Sequence, residues 1–248
     1  MPRFFVKTEQ INQPYIYIKN EDVNHIKNVL RKKVEDKIEV CNQETGDAYL
    51  CEIEQLDDNE ILTKVIEKLN ETETNIKIDI YQGLPKAEKM ELIIQKSVEL
   101  GVNSIIPVSL KRCVVKLEGK DQNKKIERWQ KIAESAAKQC GRNIIPKIEN
   151  IIKIKQFEEL SKNYDSLIVA YENEKEYTLK QEIQKIKQSN KKELKIAVVI
   201  GPEGGLAEEE IETLKNYGAN IVTLGKRILR TETVALNILS ILMYELEM

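Results

Sequence analysis

The chain changes its hydrophobic rhythm part-way along. Up to about residue 73, short apolar runs with partial alternation occupy Phe4–Val6, Tyr15–Ile18, Lys37–Cys41, Ala48–Ile53 and Glu60–Ile66. That period of two is the mark of strands with one buried face. Polar residues and Gly46 between 42 and 47 predict a hairpin joining the third and fourth runs. Val23, Ile26 and Leu30 share one helical face, so a helix is expected over 21–30 with Asn20 as its N-cap. Several strands and one helix make a small β domain. Asn70–Asn75 is polar and without period, and reads as a linker.

Beyond it, strands and helices alternate. Strands are predicted at 76–82, 104–108, 167–171, 195–200 and 221–224. Helices are predicted at 88–100, 124–139, 179–188, 208–217 and 231–247. Gly101 stands where a C-cap glycine belongs. Lys185–Lys195 is a lysine-rich connection. The alternation predicts a parallel sheet covered by helices. The domains are therefore expected at 1–73 and 74–248.

Composition narrows the picture. The 248 residues are 41% hydrophobic and 32% charged, yet the net charge is only −2. There is no global basic signature, so any nucleic-acid reading must rest on local patches. No apolar run approaches the roughly 18 residues of a membrane span. Lys7, Glu9 and Gln10 follow Phe4-Phe5-Val6 at once, where a signal peptide would continue apolar, and a cytoplasmic protein is expected. Cys41, Cys51, Cys113 and Cys140 form no C-x-x-C pair, so no metal is expected.

Two segments concentrate the chemistry. Ile196–Ile200 is a continuous, β-branched run broken by Gly201-Pro202-Glu203-Gly204-Gly205, and Ile221–Leu224 is broken by Gly225. Two glycine-broken strand exits suggest one pocket at the carboxyl ends of a parallel sheet. A tight turn needs fewer glycines than the first loop contains; glycines also let a ligand approach the backbone closely. In the second loop Ile228 and Leu229 are expected to be buried and to hold Arg227 and Arg230, with Glu232 pairing one of the arginines and Thr231 capping the last helix. Arg112 follows a predicted strand, and Arg142 follows Gly141 at a helix end. Arg3, Lys27, Arg31, Lys32 and Lys33 form a local basic patch, beside which Phe4, Phe5, Tyr15 and Tyr17 are available for stacking or core packing.

Gly-Pro-Glu-Gly-Gly followed by Leu-Gly-x-Arg-Ile-Leu-Arg-x-Glu-Thr closely resembles the 16S ribosomal RNA uridine N3 methyltransferases, which act on uridine 1498 and belong to the SPOUT class of knotted enzymes. Met1–Phe5, His25–Arg31, Gln95–Val102, Ile106-Pro107, Arg112 and Ala136–Arg142 extend the resemblance nearly end to end. It departs from the family at Leu206-Ala207, where Phe-Ser is usual, and at Lys226, often a proline. The resemblance implies an N-terminal PUA-like β-barrel that binds RNA and a C-terminal SPOUT α/β domain with a deep trefoil knot. It implies S-adenosylmethionine as cofactor, RNA of the small ribosomal subunit as partner, and a homodimer built around the last helix.

On that basis the cofactor residues are expected to be Ile200, Gly201, Pro202, Glu203, Gly204, Leu224, Gly225, Arg227, Ile228, Leu229, Arg230, Thr231, Thr233 and Ala235. RNA contacts are expected at Arg3, Arg31, Arg112, Arg128, Gln139 and Arg142. Arg230 and Arg112 are the candidates to stabilise a uridine anion, and Glu232 or Glu203 to take its proton. The rivals are a related methyltransferase for another nucleotide, an RNA-binding module without catalysis and a dinucleotide-dependent oxidoreductase. No G-x-G-x-x-G follows an early strand. The lone histidine, His25, lies in the small domain, is expected to be structural, and leaves a hydrolase triad without its base.

Overall fold

The computed structural model describes residues 1–117 and 119–247, Ala87 by its backbone. The chain divides into two compact units, residues 1–73 with 137–145, and 74–136 with 146–248.

The first unit contains β1 (Arg3–Val6), β2 (Ile11–Asn12), β3 (Tyr15–Lys19), α1 (Glu21–Asn24), β4 (Lys37–Asn42), β5 (Ala48–Leu56) and β6 (Glu60–Lys68). Its sheet runs β1-β4-β5-β6-β3-β2. β1 is parallel to β4, and the other pairings are antiparallel. The period-two residues Ile16, Ile18, Ile38, Val40, Cys51, Ile53 and Ile61 all turn inward and meet Phe4, Val23 and Ile26 in one core. Register shifts between β5 and β6 at Leu50/Cys51 and Ile53/Gln55 curl the sheet around that core, as a PUA-like barrel requires. Burial pushes the Cys41 and Cys51 thiols up to about 11, leaving them inert.

The helix differs from its expected form. After α1 it widens into a π-helical turn over His25–Val29. Asn20 stands at the N-cap position the sequence suggested, but at φ 64° its side chain makes no capping hydrogen bond. The wide turn closes by Leu30 N–H to the His25 carbonyl at 2.9 Å and Lys32 N–H to that of Ile26 at 3.0 Å, with Arg31 at φ 51°. Apolar spacing does not reveal one extra residue in a turn. His25 packs edge-on to Phe4 with ring centres 6.0 Å apart, a structural role as expected.

Residues 137–145 belong to the first unit, whereas the sequence reading placed them in the second domain. Two long-range clamps explain this. Buried Arg3 donates to Glu39 and Asn143 at 2.8 Å each, and to the Gly141 carbonyl. Arg142 pairs with Glu73, and the Asn143 amide donates to Thr72 Oγ1 at 3.1 Å. The end of the supposed linker is thus anchored through Thr72 and Glu73.

The second unit contains β7 (Ile76–Gly83), α2 (Ala87–Glu99), β8 (Ser104–Ser109), α3 (Gly119–Cys140, whose last turn joins the first unit), β9 (Lys147–Ile148), β10 (Ile152–Lys153), α4 (Phe157–Ser161), β11 (Ser166–Ala170), α5 (Leu179–Gln188), β12 (Leu194–Ile200), α6 (Glu208–Asn216), β13 (Asn220–Val222) and α7 (Thr231–Glu247). The sheet runs β10-β8-β7-β12-β11-β13, with β9 also on β8. Its pairings are parallel. The continuous apolar runs take the centre, where both faces are covered; Ile78, Ile80, Ile168, Val169, Ile196 and Val198 are fully buried.

Several elements were missed for lack of length: β2, β9 and β10 have two residues each, too few to display a period. α3 starts at Gly119, before the predicted Lys124, and β13 stops at Val222, leaving Leu224 in a loop. Thr178 and Gln181 form a reciprocal cap at the start of α5, with bonds of 3.3 and 2.8 Å.

From β13, at the sheet's edge, the chain returns to place α7 on α2, β7 and β12 near its centre. That return is the connection through which a trefoil knot is tied in the class the sequence resembles. Gly83, at the end of β7, marks how tightly the neighbouring loops pack: a Cβ there meets Pro202 Cδ at 2.7 Å and Leu110 Cδ1 at 2.8 Å. Gly83→Ala is expected to destabilise the protein by about 1–3 kcal/mol through overpacking. A lowered urea midpoint at unchanged slope is the reading that checks it.

Candidate active site

Three neighbouring strands, β12, β11 and β13, end side by side, and their exits wall a cavity of about 420 Å³. The β12 exit contributes Ile200, Gly201, Pro202, Glu203 and Gly205; the β13 exit contributes Thr223 through Arg230; β11 contributes Ala170, Tyr171 and Glu172. Lys89 from α2 and Thr231 and Val234 from α7 complete the lining. The two glycine-broken loops therefore form one pocket, as their sequence pattern suggested.

A hydrogen-bond chain holds the loops together. Gln82 at the end of β7 donates to Thr231 Oγ1 at 2.9 Å, and the Thr231 hydroxyl donates to the Gly201 carbonyl at 2.7 Å. Thr231 is the first residue of α7, so its hydroxyl ties two loops instead of capping the helix. Gln82 Oε1 is buried and has no partner among the described residues.

A second set of contacts fixes the glycine loop from outside. Arg112 Nη1 donates to the Gly204 carbonyl at 3.0 Å. Glu210 accepts the Lys111 and Ala207 amides, both at 2.9 Å. The second of these supplies half of the cap that Ala207, in the family's serine position, lacks. Gly205 has φ 69°, a conformation that selects glycine; a Cβ on it would displace only the mobile end of the Glu172 side chain.

The charges separate into two groups. Lys89 lies between two carboxylates, 3.4 Å from Glu203 Oε1 and 3.2 Å from Glu232 Oε2. The Glu232 contact is an ion pair by distance but lacks hydrogen-bond geometry, and that oxygen is buried without a hydrogen-bond donor. Burial works to raise the Glu203 pKa, but its own amide, the Lys86 amide and Lys89 outweigh it and hold the carboxyl below its ordinary value. Lys226, Arg227 and Arg230 are exposed and, unlike Lys89, pair with no carboxylate among the described residues.

These positions correct the sequence reading at several points. Ile228 is 84% exposed, and Leu229 only half-buried, so the arginines are not held by buried neighbours. Glu232 pairs with Lys89, not with an arginine. Every expected cofactor residue lines the cavity except Gly204, which turns to Arg112, Thr233, which is exposed on α7, and Ala235, which is buried in the core. Arg112 braces the glycine loop without lining the cavity. Among the expected RNA contacts, Arg3 is 8% exposed and internally bonded, and Arg142 is turned onto Glu73, so both are anchors. Arg128 pairs with Glu91 at 2.8 Å on an exposed helix face; Gln139 and Arg31 are exposed. Lys27 is paired with Asp58 at 2.8 Å. Lys89, Tyr171 and Glu172 escaped the sequence reading. The third strand exit would have pointed to Glu172 had strand order been known, since β11 lies between β12 and β13 only in space.

A curled β unit and a parallel α/β unit with a pocket at its strand ends match the two-domain architecture that the resemblance to SPOUT enzymes implies. Residues 72–243 match the RNA methyltransferase domain family, and residues 18–66 the RNA methyltransferase PUA domain. The chain is 39% identical to the ribosomal RNA small subunit methyltransferase E of Bacillus subtilis, over 100% of this chain and 98% of that one. It superimposes on a methyltransferase from Legionella pneumophila in complex with the cofactor S-adenosylmethionine, with TM-score 0.84, 29% identity and coverage of 98% and 96% of the two chains. It likewise matches a ribosomal RNA small subunit methyltransferase E from Neisseria gonorrhoeae bound to S-adenosylmethionine, with TM-score 0.82, 29% identity and coverage of 98% and 97%. The chain belongs to the ribosomal RNA small subunit methyltransferase E family.

Because the folded Glu203 pKa lies below its ordinary 4.5, the carboxylate adds stability above that value and loses it as pH falls through the lower one. Glu203→Gln is therefore expected to flatten the acid limb of stability. Urea midpoints across that range, for wild type and variant, measure it; parallel acid limbs would contradict the assignment.

Proposed function

We propose that this protein is an S-adenosylmethionine-dependent methyltransferase that modifies N3 of a uridine in 16S ribosomal RNA, at the 1498 type of site. The observation that carries the reading is the single cavity built from both glycine-broken loops, in a chain of the small subunit methyltransferase E family. The residues present fit the cofactor. About 420 Å³ is within the usual size of a small-molecule site. Ile200, Pro202, Leu224, Leu229 and Val234 offer apolar wall to an adenine, and Glu172 and Glu203 offer acceptors to ribose hydroxyls. The carboxylates also favour a cationic sulfonium. When bound, S-adenosylmethionine supplies the electrophilic methyl group.

The protein's own task is to present N3 without its proton. The N3–H bond breaks and the proton passes to a carboxylate. The new N–C bond forms as the methyl–sulfur bond breaks, leaving a neutral thioether. Glu203, which lines the cavity, and Glu232, which stands behind it, are the candidate acceptors, and Lys89 contacts both. Arg230 lines the cavity and stabilises the anion of the base, while Arg112 acts from behind by bracing Gly204. N3 lies on the Watson–Crick edge, so the uridine must be unpaired or extruded. In this reading the first unit grips RNA through exposed Arg31, with Arg128 and Gln139 adding contacts. A second copy packs against α7, and the enzyme works in the cytoplasm, where its substrate is.

Arg230→Ala and Glu232→Gln are each expected to lower kcat on the order of 10²- to 10⁴-fold. Mass spectrometry of nucleosides from treated small-subunit RNA identifies the methylated base. Wild-type turnover in alanine variants of Arg230, Glu232, Glu203 and Arg112 together would sink the scheme. Calorimetric titration with S-adenosylmethionine separates it from a non-catalytic RNA-binding module, which would show no saturable binding with or without RNA.

A further inference from the structure

We infer that Ile228 is an RNA wedge: an apolar side chain that enters the space left when the target nucleotide swings into the cavity. The inference rests on the methyltransferase reading above. Among the large apolar side chains of the described residues, Ile228 at 84% is the most exposed. It stands on the rim of the cavity, in the loop that Gly225 opens at φ 119°. Its neighbours Lys226, Arg227 and Arg230 are exposed and make no side-chain hydrogen bond or ion pair among the described residues.

These features together point to RNA as the occupant. A lone exposed apolar side chain needs no partner by itself; at Ile228 it is the place on the cavity wall, among unpaired cations, that gives the exposure a meaning. Three unpaired cations within five residues mark that partner as a polyanion. Lys89 takes up Glu203 and Glu232, so neither of those carboxylates neutralises the rim. An isoleucine flanked by phosphate-binding arginines is the arrangement by which proteins part stacked bases. The reaction needs that parting when the uridine is stacked or paired, because N3 is then inaccessible. Ile228 is thus a positioning residue for the RNA.

The test uses the full-length protein, saturating S-adenosylmethionine, and two RNAs carrying the same uridine, one base-paired within a hairpin and one unstructured. A 2-aminopurine beside the uridine reports unstacking by its fluorescence. Wild type is expected to brighten the hairpin probe, and Ile228→Ser to bind the hairpin without brightening it. The ratio of paired to unpaired methylation rates is expected to fall in Ile228→Ser by about tenfold or more, and in Ile228→Met by much less. Arg227→Gln should instead weaken both RNAs and reduce the salt slope by about 0.7 to 0.9. No brightening by wild type overturns the wedge. So does equal brightening by Ile228→Ser, a proportional loss on both RNAs, or a loss explained by weaker cofactor binding. A drop in molar mass of Ile228→Ser by light scattering also overturns it, assigning the side chain to a second copy of the chain. Brightening lost in the variant, with no uridine methylated by wild type, upholds the wedge and refutes the uridine N3 reading.

Discussion

One hydroxyl joins the parts on which the site depends. Thr231 receives a hydrogen bond from Gln82 at the end of β7 and gives one to Gly201 at the end of β12. It is also the residue at which the loop from β13 becomes α7. Three strand exits are thereby referred to one atom. Without that tie, the β13 loop would be held only by β13 at its start and by the packing of α7 beyond its end. The neighbouring amide shows the local strain of this design: both Gln82 N–H groups are used, towards Gly83 and Thr231, and its oxygen is left unpaired. Departures from local satisfaction of this kind gather at functional sites.

Much of the architecture was legible in the sequence because the sheet positions dictate it. Central parallel strands must be buried on both faces, and the apolar runs of β11 and β12 show it, whereas β7 alternates Ile76, Ile78 and Ile80 with Lys77, buried Asp79 and Tyr81; barrel strands alternate, and β3 to β6 do. The pocket loops were legible for a different reason: glycine clusters record backbone conformations and close approaches that side chains forbid, as Gly205 at φ 69° and Gly201 against the Gly205 backbone show. Long-range polar pairing was not legible. Nothing local to Arg3 predicts Asn143, nothing local to Lys89 predicts Glu203 and Glu232, and strand order, which places Glu172 in the site, is a property of the whole sheet. The π-turn over His25–Val29 escaped because adding one residue to a turn leaves the apolar face nearly unchanged.

The same distinction accounts for the errors about charge. Residue type says that an arginine carries charge, while burial and partners decide what the charge does. Arg3 and Arg142 looked like an RNA surface and are anchors of residues 137–145 on the barrel. Arg31 has the same charge, sits exposed at a left-handed φ of 51°, and so keeps its side chain at the surface at some conformational cost. An anchoring guanidinium is satisfied by carboxylates and carbonyls of its own chain; one that meets RNA must be left unsatisfied until the phosphate arrives.

That principle also reconciles a net charge of −2 with a nucleic-acid substrate. Attraction to RNA falls off within a Debye length, about 8 Å at physiological salt, so the charges that matter are those at the site's rim. In the second unit Glu203 of the cavity wall shares Lys89 with Glu232, while Lys226, Arg227 and Arg230 line the cavity with no counter-charge among the described residues. Glu172 and Glu203 in the lining suit a cationic methyl donor, and the unpaired cations of the β13 loop suit a polyanion. Placing the acids on the β11 and β12 exits and the free cations on the β13 loop gives one site both preferences. A uniformly basic protein would attract RNA as well, but would repel a sulfonium from the cavity where it is needed.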